Sequence, residues 1–270
     1  MDKDQAAAMA CYREALTLDP GLDAAWFDLG LIHKRAGDWE QSFDCNLRAA
    51  EILGEKKGEP AWWNLGIAAT ALHRWDTARR AWRAYGVDVP DGDGPIDADF
   101  GFGPVRINPS GAGEVVWGQR IDPARIRLHS IPFPASGHRW DDIVLHDGVP
   151  NGYREWRGTK RPVFDELSRW GPSDVPTLQA AVSAGTDDVE KLIIRFYENG
   201  HAAENWSRSV RMLCRRCSEG TVHAEHSDKA LASGGEHLVG IAAPLPAAQA
   251  VVAAWERSPG RRCHSLDLVL

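Results

Sequence analysis

The sequence predicts a multi-domain α+β protein, with α-helical hairpins first, then a small antiparallel β module, then a domain that mixes strands and helices. Three observations predict this order. A motif of tryptophan and glycine recurs 36 residues apart in the first third of the chain. Short runs of alternating polar and apolar residues follow, which is typical of strands with one face in solvent. The last hundred residues then alternate between strand-like and helix-like segments.

Length and composition indicate an ordinary globular chain. Its 270 residues, at about 150 residues per domain, indicate about two domains. Hydrophobic residues make up 43% and charged residues 26%, which excludes wholesale disorder. We place helical repeats at 1–86, a linker at 87–104, an antiparallel β module at 105–170 and an α/β domain at 171–270.

Several classes of protein are excluded by charge and hydropathy. The net charge is −7, and none of the segments 1–90, 91–172 and 173–270 is basic overall, so we expect no general nucleic-acid binding. No stretch approaches the ~18 apolar residues of a membrane-spanning helix, so we expect no membrane insertion. Residues 1–4 are polar and lack the apolar segment of a secretory signal, so we expect a cytoplasmic location. An odd number of cysteines, 5, argues against a disulfide framework.

The helical region is defined by an internal repeat. Residues 24–30 (AAWFDLG) recur as residues 60–66 (PAWWNLG). This pattern resembles the tetratricopeptide repeat family over about residues 1–86. The matching residues are Trp26, Leu29, Gly30 and Gly37 in one unit, Trp62, Leu65, Gly66, Ala78 and Trp82 in the next, and Ala8, Tyr12, Ala15 and Pro20 in a preceding half unit. The spacing exceeds the family's usual one by two residues, which fits an insertion at 54–58, and Ser42 and Asn46 stand where the family prefers alanine and an aromatic residue.

The resemblance implies a concave groove lined by the first helix of each hairpin. The positions that it places in the groove are Phe27, Leu31, Lys34, Arg35, Trp63, Asn64, Ile67 and Thr70. Aromatic side chains would anchor a peptide there, and the basic pair Lys34 and Arg35 would hold a carboxylate. The alternative is that the groove packs against later parts of the same chain. An array of two and a half repeats leaves apolar helix faces exposed at its ends, and another part of the protein must cover them.

The β module is predicted from short alternating runs separated by turn signals. Runs at 114–121, 124–131, 142–146 and 152–156 read as strands. Turn signals fall between them, among them Asp122-Pro123, Asp147-Gly148 and Arg157-Gly158. We expect a small antiparallel meander or a partly closed barrel.

The last hundred residues predict the order β-α-β-β-α-β. Strands are expected at 177–182, 209–215, 236–241 and 264–270, with helices from Thr186 to about Tyr197 and from Pro246 to about Trp255. This is the order of a ferredoxin-like sandwich, a fold that hosts many functions and therefore decides nothing about activity.

One constellation in this domain has the composition of a metal site. Cys214, Cys217, His223 and His226 combine a Cys-x-x-Cys turn with two nearby histidines. Two thiolates and two imidazoles suit tetrahedral zinc, which would anchor the long loop that follows the second strand. The alternatives are a pair of ordinary thiols beside exposed histidines, or a redox pair.

The function that these features favour is recognition of a protein or peptide partner by an adaptor with a helical groove. The alternative is a zinc-binding protein with a C-terminal Cys/His site, either an accessory protein or an enzyme. The sequence contains no Gly-x-Ser-x-Gly motif, no phosphate-binding loop, no His-Glu-x-x-His motif and no dinucleotide fingerprint. It therefore favours a non-enzymatic role and designates no catalytic residue.

Overall fold

A computed structural model describes residues 3–111, 113–208 and 235–270 of the chain. It shows a mixed α+β protein in which helices come first and strands follow, so this part of the prediction is confirmed. The chain divides into two compact units. The first comprises residues 1–101, 120–126 and 145–148, and the second comprises 102–119, 127–144 and 149–270. Among the described residues, no helix is both long enough and apolar enough to cross a membrane.

Five helices open the chain, and each one packs on the next. They are α1 (Lys3–Leu18), α2 (Asp23–Ala36), α3 (Trp39–Leu53), α4 (Pro60–Ala71) and α5 (Trp75–Tyr85). The connection before α4 is two residues longer than the connection before α2, at the place where the sequence indicates an insertion. Asp38 caps α3 by accepting a hydrogen bond from the backbone nitrogen of Gln41 at 3.3 Å.

The hairpins α2–α3 and α4–α5 repeat the same internal contacts. A methyl group on Gly30 would lie 2.5 Å from the amide nitrogen of Asn46, and one on Gly66 would lie 2.7 Å from the ring of Trp82. Asn46 and Trp82 are themselves 36 positions apart. In both hairpins, a glycine on the first helix therefore allows the close approach of the second helix.

The two repeat tryptophans also form matching hydrogen bonds. The indole of Trp26 donates a hydrogen bond to the carbonyl of Pro20 at 3.0 Å, and the indole of Trp62 donates to the carbonyl of Gly54 at 2.9 Å. Each acceptor lies in the connection that precedes the helix. Each tryptophan thus ties its helix to the preceding turn through a satisfied indole N–H.

Residues 87–101 follow α5 and pack within the first unit. Val89 and Ile96 are buried. Arg79 and Arg83 on α5 donate hydrogen bonds to the carbonyls of Pro90 and Val89, each at 3.0 Å. This segment, which forms most of the predicted linker, is therefore attached to the last helix along part of its length.

Five strands form a closed barrel in sequence order. They are β1 (Phe102–Ile107), β2 (Glu114–Arg120), β3 (Arg125–Leu128), β4 (Ile143–Trp156) and β5 (Thr159–Gly171). The parallel pairing of β1 with β5 closes the barrel, with Val105 opposite Phe164. The sequence predicted a turn at Asp147-Gly148, and this is wrong, because β4 runs through both residues.

The described residues of the C-terminal region form a four-stranded sheet and two helices. The elements are β6 (Thr177–Ser183), α6 (Thr186–Glu198), β7 (Ala202–Asn205), β8 (Glu236–Ala242), α7 (Leu245–Trp255) and β9 (Arg262–Leu268). The strand order is β7-β8-β6-β9, and all three neighbouring pairs are antiparallel. Phe196 and Trp255 from the helices join Leu178, Val239 and Ile241 from the sheet in one buried cluster. The strand expected at 209–215 lies outside the described residues, and β7 lies before it.

Candidate functional site

The predicted groove contains a buried polar contact between two helices and a strand. The ammonium group of Lys34 on α2 donates hydrogen bonds to the side-chain oxygen of Asn64 on α4 at 2.9 Å and to a carboxylate oxygen of Asp147 on β4 at 3.0 Å. The Lys34 side chain is only 3% exposed, and the Asp147 side chain is 23% exposed. A buried ammonium needs such a counter-charge, because desolvation without one is costly.

The carboxylate of Asp147 also accepts a hydrogen bond from the residue that follows it in the chain. The same carboxylate oxygen accepts a hydrogen bond from the backbone nitrogen of Gly148 at 2.7 Å. Lys34 and Gly148 therefore converge on one oxygen atom. This arrangement holds the carboxylate in a single position between the two helices.

Trp63 forms an apolar wall beside this contact. Its ring meets Trp82 edge-on at 5.1 Å between centroids, and it meets Tyr85 in the same way at 4.9 Å. The backbone of Gly148 lies directly against the Trp63 indole. A methyl group on Gly148 would be 2.7 Å from Cζ2 of that ring and closer still to Cε2 and Nε1. Only glycine allows β4 to pass at this distance.

His146 anchors the same segment from the other side. Its backbone nitrogen donates to the carbonyl of Ala124 at 2.8 Å, and its ring Nδ1 donates to the carbonyl of Asp147 at 2.8 Å. Burial, together with the positive charge of Arg120, lowers the pKa of His146 to about 3. The imidazole is therefore neutral at physiological pH, with its proton on Nδ1.

The eight predicted groove residues lie in three kinds of surroundings. Lys34, Asn64 and Trp63 meet residues 147 and 148 of the same chain. Ile67 and Thr70 are fully buried. Phe27 and Leu31 on α2 are half-buried, and Arg35 on the same helix is exposed. Three of the predicted groove residues thus belong to a contact with β4 of the same chain, while Phe27, Leu31 and Arg35 on α2 remain accessible.

Two residues of this site, Asp147 and Gly148, were not expected from the sequence. Their dipeptide has the local chemistry of a tight turn, and the sequence therefore predicts separate strands on either side of it, at 142–146 and 152–156. The sequence did offer the alternative that a later part of the chain packs against the short helical array. It did not indicate which residues would do so.

The predicted zinc ligands cannot be placed in the fold. Cys214, Cys217, His223 and His226 lie outside the described residues. Within the described ranges, no group of three or more histidine, cysteine, aspartate or glutamate side chains is arranged to hold a metal ion. The zinc site stays a prediction from the sequence.

Comparison with known proteins gives one distant structural similarity. No protein-family model matches the chain. No curated protein matches it either. Among solved structures, the chain is similar to a hypothetical protein from Neisseria gonorrhoeae, at 13% identity over 60% of this chain and 91% of that chain, with a TM-score of 0.23. A TM-score this low carries neither fold nor function across.

Proposed function

We propose that this chain is a protein-binding adaptor built on a short tetratricopeptide array, with a ferredoxin-like domain at its C-terminal end. The matched glycine contacts of the two hairpins support the first part, because they recur at the 36-residue spacing of the sequence repeat. The strand order β7-β8-β6-β9, with helices after β6 and β8, supports the second part. Neither fold determines a function by itself, so the function has to be argued from the residues at the surface.

The binding surface in this proposal is the α2 side of the helical groove. Phe27, Leu31 and Arg35 follow one another at intervals of four residues and so lie along one face of α2. They offer two apolar side chains and one cation at the surface. The partner that suits them is a peptide with an apolar residue followed by a carboxylate.

The seating of Asp147 is the observation that carries this proposal. In the neighbouring part of the same groove, an extended segment inserts a carboxylate beside a lysine and packs its backbone on a tryptophan. Two of the proposed groove positions, Lys34 and Trp63, are thus already in contact with an extended segment of the chain that carries one carboxylate. The accessible α2 positions combine the same two kinds of group, apolar surface and positive charge.

Peptide selection against the full-length protein tests this proposal. We expect a displayed random-peptide library to yield binders that share an apolar residue and an acidic residue. Leu31→Asp and Arg35→Glu should each weaken the selected peptides at least about tenfold in calorimetry, since each change places a negative charge where the acidic peptide binds. Ile52→Asp, at an exposed position of α3, is the matched control and should leave binding unchanged.

Two results would overturn the proposal. One is a selection that yields no binder. The other is a set of binders whose affinity is the same for the wild type, for Leu31→Asp and for Arg35→Glu. Circular dichroism and the melting temperature of each variant show whether the array is intact, so a loss of binding is not confused with a loss of folding.

A further inference from the structure

The second unit contains an open cavity of about 550 Å³ that no sequence motif indicates. One wall is a stripe of α6, formed by Glu190, Ile193 and Tyr197 at helical spacing. Strand β7 contributes Glu204, and strands β1 and β2 contribute Phe102 and Trp117. The cavity thus joins a partly apolar helix face to an aromatic strand surface.

The aromatic wall is larger than the two rings that line the cavity. The rings of Phe102 and Trp117 are nearly parallel, with 10° between their planes and 5.7 Å between their centroids. Trp156 on β4 completes the group, at 5.3 Å from Phe102 and 6.3 Å from Trp117. All three side chains are half-buried, so they retain accessible surface. Ring faces carry negative electrostatic potential.

The charged side chains of the cavity are also negative. Glu190 and Glu204 are the charged side chains among the lining residues, and neither lysine nor arginine joins them in the described structure. One carboxylate oxygen of Glu204 accepts a hydrogen bond from the backbone nitrogen of Ile131 at 3.0 Å, which fixes this side chain. Glu190 is exposed and forms no ion pair within the described residues.

The histidine of the lining adds no positive charge near neutral pH. His129 also lines the cavity, 5.9 Å from the ring of Phe102. Burial lowers the pKa of His129, and Arg127 lowers it further, while Asp141 raises it in part. His129 is therefore neutral at physiological pH, and the cavity keeps its negative potential.

We propose that this cavity binds an organic cation, a quaternary ammonium or a guanidinium group, on the rings of Phe102 and Trp117, with Glu190 of the same lining as a counter-charge. Cations lie over the faces of aromatic rings, and tryptophan is the strongest partner. The two carboxylates of the lining supply the complementary charge. This inference is independent of the helical groove and of any partner bound there.

The same aromatic group already holds one cation of the protein. The guanidinium carbon of Arg157 lies 4.5 Å from the ring centroid of Trp156. Arg157 belongs to the tight turn between β4 and β5 and directly follows Trp156 in the chain. The contact is an example within this protein of a cation over a ring of the group, at a tryptophan that does not itself line the cavity.

Calorimetric titration of the full-length protein with choline tests the inference. The control ligand is 3,3-dimethylbutan-1-ol, which has the shape of choline but no charge. We expect choline to bind and the neutral alcohol to bind at least about tenfold more weakly, because the shape is the same and only the charge differs. N-acetylargininamide forms a second arm. If it binds more tightly than choline, the site prefers a guanidinium group, and if choline binds more tightly, the site prefers a quaternary ammonium.

Matched variants locate the site. Trp117→Ala should weaken choline about tenfold, and Trp117→Phe should retain most of the affinity. Glu190→Gln should weaken it about threefold, whereas Glu198→Gln, at the exposed end of the same helix, should have no effect. The inference is overturned if neither cation binds, if the neutral alcohol binds as well as choline, or if Trp117→Ala, shown to be folded by circular dichroism, binds choline like the wild type.

Discussion

The backbone of Gly148 lies against the indole of Trp63, closer than any residue with a Cβ could approach without displacing the ring. Trp63 belongs to the second repeat of the helical array, and Gly148 belongs to strand β4 of the barrel. The absence of a side chain at Gly148 therefore allows β4 to pack against the second repeat. The side chain of Asp147, next to Gly148, adds a hydrogen bond with the ammonium group of Lys34.

Substituting Gly148 by alanine should destabilise the first unit. The added methyl group must displace Trp63, which also packs on Trp82 and Tyr85, so we expect a loss of about 1–3 kcal/mol in unfolding free energy. Urea denaturation measures this loss. Gly103→Ala in β1 is the matched control, because a methyl group there meets nothing within 4 Å. Equal stability of the two variants would contradict the packing described for Trp63.

Substituting Gly66 by alanine should separate α4 from α5. Trp82 is fully buried, and its ring would lie 2.7 Å from the new methyl group. We expect a loss of about 2 kcal/mol or more, measured by urea denaturation. The double variant Gly66→Ala/Trp82→Leu should lose less unfolding free energy than the sum of the losses in the two single variants, since the smaller side chain at position 82 makes room for the methyl group. A loss equal to that sum would show that the two residues do not interact.

The helical region could be predicted because its information is local and repeated. Glycines 30 and 66, and the turns at Gly37 and His73, each recur after 36 residues, and the structure gives equivalent positions equivalent contacts. Even His73, which is not glycine, adopts the positive φ of 58° that Gly37 also has, at 72°. His73 adopts this conformation although residues other than glycine rarely do, so the repeat was a better guide than the residue type.

The groove occupant could not be predicted, because its information is not local. Asp147-Gly148 has the composition of a hairpin turn, and only the approach of Trp63 and Lys34 explains why it lies within a strand. Strand β7 was missed for a related reason. Its sequence Ala-Ala-Glu-Asn has little strand propensity, and its pairing with β8 supplies the structure.

His146 should make the first unit sensitive to acid. The folded protein keeps this imidazole neutral down to about pH 3, while an unfolded histidine takes up a proton below its ordinary pKa of 6.5. Folding is therefore favoured above pH 6.5, and the unfolding free energy should fall by about 1.4 kcal/mol per pH unit as the pH drops from 6.5 towards 3.

The comparison with His146→Asn isolates this effect from other titrating groups. Asparagine keeps a short side-chain donor but has no proton to gain in this range. We expect the stability of the variant, measured by urea denaturation at several pH values, to fall less steeply than that of the wild type below pH 6.5. Parallel curves for the two proteins would show that His146 is not buried as a neutral group.

The predicted zinc site is tested by metal analysis of the purified protein. We expect about one equivalent of zinc, lost in the Cys214→Ser/Cys217→Ser variant, because two of four ligands are then missing. Cys45→Ser is the matched control, since Cys45 is buried in the helical region and lies in no such motif. Less than about a tenth of an equivalent in the wild type would end the hypothesis.

The contact between Lys34 and Asp147 is the most direct test of the claim that the helical groove holds its own strand. A double-mutant cycle with Lys34→Met and Asp147→Asn, followed by urea denaturation, measures the coupling free energy between the two side chains. The contact is buried and 3.0 Å long, so we predict a coupling of about 2 kcal/mol, with each single variant less stable than the wild type. A coupling below about 0.3 kcal/mol would mean that Lys34 and Asp147 do not meet, and residues 145–148 would then not occupy the groove.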